Sequence, residues 1–79
     1  MVLHEHRAML ALHLCEAEAH VAEVMRHVEN QRIIIANLER GGHDTLQAES
    51  LFRTFEDMLA LHVVHRDRLR KELDRANLP

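Results

Sequence analysis

Leu38-Glu39-Arg40-Gly41-Gly42-His43-Asp44-Thr45 decides the fold, because it stops one long helical pattern and starts another. A glycine just past the last periodic residue avoids the Cβ clash of a left-handed conformation and commonly ends a helix. Asp44 follows at once, with Gln47 three residues later. That reads as a helix N-cap with its capping-box partner, and Thr45 is the rival cap. The turn is therefore expected at residues 41–44. Gly41, Gly42 and Pro79 are the strong breakers of the chain, and all lie outside the periodic runs.

Upstream of the turn the apolar pattern repeats in heptads. Arg7, Leu14, Val21, Val28 and Ile35 form one row. Leu10, Ala17, Val24, Gln31 and Leu38 form the next, with Leu3 one heptad earlier. Only Arg7 and Gln31 interrupt this coiled-coil-like seam. Downstream, Ala48, Leu51, Phe52, Phe55, Met58, Leu59, Leu69, Leu73 and Ala76 make an apolar face, with His62 in its middle. The spacing predicts one domain over residues 1–79, with helix 1 at about 2–40 and helix 2 at about 45–77. Helices of roughly 38 and 32 residues would be roughly 57 and 48 Å long.

So short a linker forces antiparallel neighbours, and the fold class is all-α, an antiparallel two-helix hairpin. Met9, Leu12, Ile33, Ile34, Leu61, Val63 and Val64 fall outside the narrow seam. One hairpin has one interface and cannot cover them, so a homodimer forming a four-helix bundle is expected. Folding the chain about Gly42 and His43 puts residue i level with about residue 85 − i, to within several positions, and brings Glu16 and Glu18 level with Arg66, Arg68 and Arg70. It also brings His20 level with His65, and Glu23 with His62.

Composition narrows the function. Hydrophobic residues are 47% of the 79, but aromatics are 3%, which suits aliphatic helix seams and disfavours a β-sandwich. A formal charge of −3 gives no bulk attraction to nucleic acid. The basic group Arg66, Arg68, Arg70, Lys71 and Arg75 complements a helix C-terminus and the facing glutamates instead. No run reaches the length of a membrane span. Glu5 and three early histidines stand where a signal peptide would be basic and then apolar. Cys15 is single and forms no intrachain disulfide, which points to a cytoplasm.

Histidine carries the chemistry. The chain has 8, and His6, His13, His20 and His27 stand seven residues apart, a near-straight line along a helix. Glu16 and Glu23 interleave with them at spacings of three and four. The row lies on the flank of the seam, which reads as a solvated border where histidines and glutamates pair. A metal ladder and a pH-responsive edge are its functional alternatives. His62 is the sharper anomaly, since the seam calls for an apolar residue there. A hydrogen-bonded core histidine is one reading. The other is a metal cluster of His20, Glu23, His62 and His65, whose three imidazoles and one carboxylate suit Zn²⁺, Ni²⁺ or Cu²⁺. The cluster lacks the Glu-x-x-His motifs of di-iron bundles and any Cys-x-x-Cys.

Catalytic signatures are missing from the pattern. Gly41-Gly42 follows no strand and makes no phosphate loop. Cys15 has no triad around it and reads as a buried or border thiol. Met9, Met25 and Met58 read as packing. No cofactor motif is seen.

Leu38 to Thr45, then Phe52-Arg53-Thr54-Phe55-Glu56, His62 and His65-Arg66-Asp67-Arg68-Leu69, together with His20-Val21-Ala22-Glu23, carry a family resemblance. The chain resembles small helical-hairpin proteins of soil alphaproteobacteria, which have a helix, a Gly-His-Asp-Thr turn and a second helix. The likeness covers about residues 18–73. It implies a bacterial cytoplasmic hairpin with no assigned activity, cofactor or partner. His65 departs from the alanine or acidic residue expected there, so the metal cluster would be peculiar to this chain.

The expected function is therefore that of a non-enzymatic, self-associating structural or interaction protein, open to a further protein partner. A small metal-binding protein is the second reading. The third is an assembly that loosens between about pH 7 and 5, because burial at His62 disfavours a charged imidazole. There the interleaved glutamates, which favour the charged form, would work against it.

Overall fold

The computed structural model describes residues 2–79, with side chains from Glu5 onward. Leu3 and His4, read as part of the first heptad and the histidine set, lie outside the described side chains. Two helices make the architecture, α1 (Val2–Arg40) and α2 (Leu46–Ala76), packed as an antiparallel hairpin. Its extents are 62 × 15 × 14 Å, so the long dimension is essentially the length of α1.

The turn is a Schellman motif. Gly42 has φ +72°. Its N–H donates to the Glu39 carbonyl at 3.1 Å, and the His43 N–H donates to the Leu38 carbonyl at 2.9 Å. Those two bonds satisfy carbonyls that the end of α1 would leave orphaned. The two glycines differ. Only Gly42 needs the left-handed conformation, whereas a Cβ on Gly41 would meet the movable ring of His43 at 2.8 Å. Thr45 occupies the N-cap position of α2 without a side-chain cap bond. Asp44 Oδ1 does the capping, accepting the Leu46 N–H at 3.0 Å. An aspartate reaching two residues ahead is an Asx-turn rather than the expected capping box.

The seam is asymmetric. On α1, Leu10, Ala17, Val21, Val24, Val28 and Gln31 are buried; on α2 only Leu69 is. Small residues on α1 let the larger α2 chains Phe52, Phe55, Leu59 and His62 lie over them, and those stay half-buried at their outer rims. Leu10, Ala17 and Leu69, with Leu14, Leu73 and Ala76 against them, form a core near the open end. Gln31 explains its own place in the seam. Its Nε2 donates to the Ala48 carbonyl at 2.9 Å, tying α1 to the first turn of α2.

Leu51 and Met58, read from the sequence as part of the apolar face, are exposed at 45% and 39%. The contacting row of α2 instead steps through Ala48, Phe52, Phe55, Leu59, His62, Arg66, Leu69, Leu73 and Ala76, all buried or half-buried. This row keeps steps of three and four, so Leu51 and Met58 fall on its flank. Cys15, expected buried or at the border, is exposed. Among the described residues no helix is long and apolar enough to cross a membrane.

Candidate functional site

The histidine flank of α1 meets α2 at two places. The rings of His20 and His62 have centroids 5.5 Å apart and planes tilted by 55°. One heptad on, His27 stacks on Phe55 at 5.3 Å and 15°. His20 is exposed and His62 half-buried, so the seam does not seal the imidazole it contains. Glu23 turns along its own helix, with Oε1 3.9 Å from Nε2 of His27. His6, His13 and His65 are exposed.

His20 therefore faces His62, not His65. The expected register, given to within several positions, spans the contacts seen: His62 lies three residues to one side of the position expected opposite His20, and Arg70 three to the other side of that opposite Glu18. His20, Glu23, His62 and His65 consequently do not form one donor set. Among the described residues no group of three or more His, Cys, Asp or Glu is placed to hold a metal ion. What the hairpin presents is a pair.

The opposite edge of the seam has different chemistry. Arg70 donates to Glu18 at 3.2 Å, the one pair found among the expected glutamate–arginine contacts, and both partners are half exposed. Such an ion pair contributes about 0–1 kcal/mol. Arg66 instead pairs with its neighbour Asp67 at 3.0 Å. Near the turn, the Arg32 guanidinium sits 5.6 Å above the Phe52 ring, within cation–π range. It borders an open groove of about 510 Å³, lined by Ile35, Ala36, Phe52 and a charged rim that includes Glu39, Arg53 and Glu56.

By helical position, the heptad row His6, His13, His20, His27, Ile34 of α1 and the row Leu51, Met58, His65 of α2 flank the seam on the same side. Leu61 and Met9 border these rows. The exposures are 47% at Ile34, 56% at Met9 and 72% at Leu61. This is a second, uncovered face of apolar groups and imidazoles. Sequence reasoning marked the histidines but not the α2 row beside them. The signal was available in the seven-residue spacing of Leu51, Met58 and His65.

No protein-family model, curated protein or solved structure matches this chain.

Proposed function

We propose that the protein is a non-enzymatic structural or interaction module that works as a homodimer, two hairpins packing their histidine faces into a four-helix bundle. Surface area carries this reading. The chain exposes 6122 Å². A compact monomer of 9.2 kDa would expose about 4,900 Å². The excess of about 1,200 Å² exceeds the roughly 800 Å² that each partner contributes to a standard stable interface. Leu12, Ile33 and Val64 lie off this face, next to Met9, Ile34 and Leu61 on their helices, and Met25 lies on the opposite edge.

The choice of face follows from charge. Interface centres are depleted in charged residues. The edge of Glu18, Arg32, Arg53, Glu56 and Arg70 is mostly charged, with Met25 and Val63 as the apolar residues of its rows. The histidine face offers Ile34, Leu51 and Met58 with imidazoles between them; Met9 and Leu61 border it in the rows of Glu16, Glu23 and Arg68, and Glu72 ends its α2 row. The lone Cys15 and the resemblance to alphaproteobacterial hairpins support a bacterial cytoplasm as its place.

Sedimentation equilibrium at micromolar concentration tests the reading. The expected mass is twice the 9.2 kDa of one chain, with a melting temperature that rises with concentration. A mass of one chain with a cooperative, concentration-independent melt, in metal-free buffer and with divalent transition metal added, would overturn it.

A further inference from the structure

We propose that a second copy completes the His20–His62 pair into a four-imidazole site for a tetrahedral transition-metal ion, with Zn²⁺ as the probe ion. The proposal rests on the homodimer reading. Four observations lead to it.

The first is the geometry of the pair. Imidazole nitrogens bind Zn²⁺ at about 2.0–2.1 Å in tetrahedral sites, which holds two ring centroids about 5 Å apart. His20 and His62 stand at 5.5 Å, close to that spacing.

The second is incompleteness. Structural zinc sites take four protein ligands. One chain brings together two, and among the described residues no set of three exists. Glu23 is turned to His27. The missing ligands must come from outside the hairpin.

The third is position. Helix α1 spans residues 2–40 and α2 spans 46–76, so their midpoints are residues 21 and 61. His20 and His62 each lie one residue from a midpoint. An interface between two copies of one chain is isologous, each patch meeting itself about a two-fold axis. If the axis runs along the hairpin, every residue meets the level of its mate. If it crosses the hairpin, the greatest overlap puts it at mid-length. In both arrangements His20, His62 and their mates come to one level of the bundle.

The fourth is accessibility. His20 is exposed and His62 half-buried. The pair sits on the face that the homodimer covers, within reach of solvent before the copies meet. Bundle cores commonly house metals built from facing helices in this way.

The test is calorimetric titration of tag-free, metal-stripped protein with Zn²⁺, run beside sedimentation with and without the ion. The expected result is one Zn²⁺ per two chains. His20→Ala and His62→Ala should each weaken binding more than about tenfold, the loss that even an outer-shell partner causes. His20 is exposed, so His20→Ala keeps its helical circular dichroism and separates ligand loss from misfolding. The double variant His13→Ala/His27→Ala should bind as wild type does. A chain that dimerises only with Zn²⁺ also supports the site. A dimer that takes no Zn²⁺, or takes it at one ion per chain, overturns the site and leaves the homodimer standing. A monomer with and without Zn²⁺ removes the homodimer and the site with it.

Discussion

Along one edge of the seam the hairpin satisfies its own side chains: Glu18 receives Arg70, Arg32 covers Phe52, and the groove beyond is rimmed by charge. Along the other edge the same two helices present Ile34, Leu51, Met58 and a line of histidines with little laid over them. The backbone is equally regular on both sides, so the contrast is one of side-chain chemistry. A charged group can end in water at little cost, and long arginines cover neighbouring carbon as they do so. Leu, Ile and Met have no such option, and stay a source of free energy until another surface arrives. One edge is mostly completed within the chain, with Met25 left exposed on it; the other is the edge on which association is proposed.

The largest expected effect removes the seam on which both edges depend. Leu69 is the buried residue of α2 and packs on Leu10 and Ala17. Leu69→Ala should lose about 2–5 kcal/mol in a denaturant titration, a large part of the stability of so small a domain. A loss under about 1 kcal/mol would mean that the open end of the hairpin is not a true core.

Next comes the contrast itself. Met58→Glu puts a charge on the histidine face and should weaken self-association about 100-fold or more, equivalent to about 3 kcal/mol. Its counterpart Glu56→Lys, on the charged edge, should leave the sedimentation mass unchanged. Reversed results would move the interface to the other edge.

The turn holds the two edges in register, and its glycines should respond unequally. Gly42→Ala should cost about 1–2 kcal/mol, since an alanine must adopt the left-handed conformation. Gly41→Ala needs only a shift of the exposed His43 ring and should stay within about 0.5 kcal/mol. Equal losses in thermal melts would show that the Schellman turn does not set the fold.

The smallest effect lies on the charged edge. Glu18→Gln breaks the exposed pair with Arg70 and should cost less than about 1 kcal/mol, with the difference vanishing at about 1 M salt, where charges are screened within about 3 Å. A larger, salt-independent loss would make that pair part of the core.

These effects also mark how far the chain could be read before its structure. The heptad rows of α1 were legible because a helix repeats every 3.6 residues wherever it lies, and Val21, Val24 and Val28 are buried where the spacing puts them. Gln31 was legible as an exception but not as a bond, because its partner is the Ala48 carbonyl, 17 residues away and set by the turn. Leu51 and Met58 were assigned to the wrong part of the α2 surface, since their apolar character fits the seam and an uncovered flank alike.

Local information thus determined the two helices, the break at Gly42 and the antiparallel pairing, because each depends on neighbours within a few residues. Which histidine meets which was decided only by the tertiary structure. A slip of one helical turn keeps apolar residues against apolar residues and barely changes the energy of the seam. It nevertheless replaces His65 with His62 opposite His20. The pairing appears only in contacts across the seam, His20 with His62 and Gln31 with the Ala48 carbonyl, which no periodicity within one helix records.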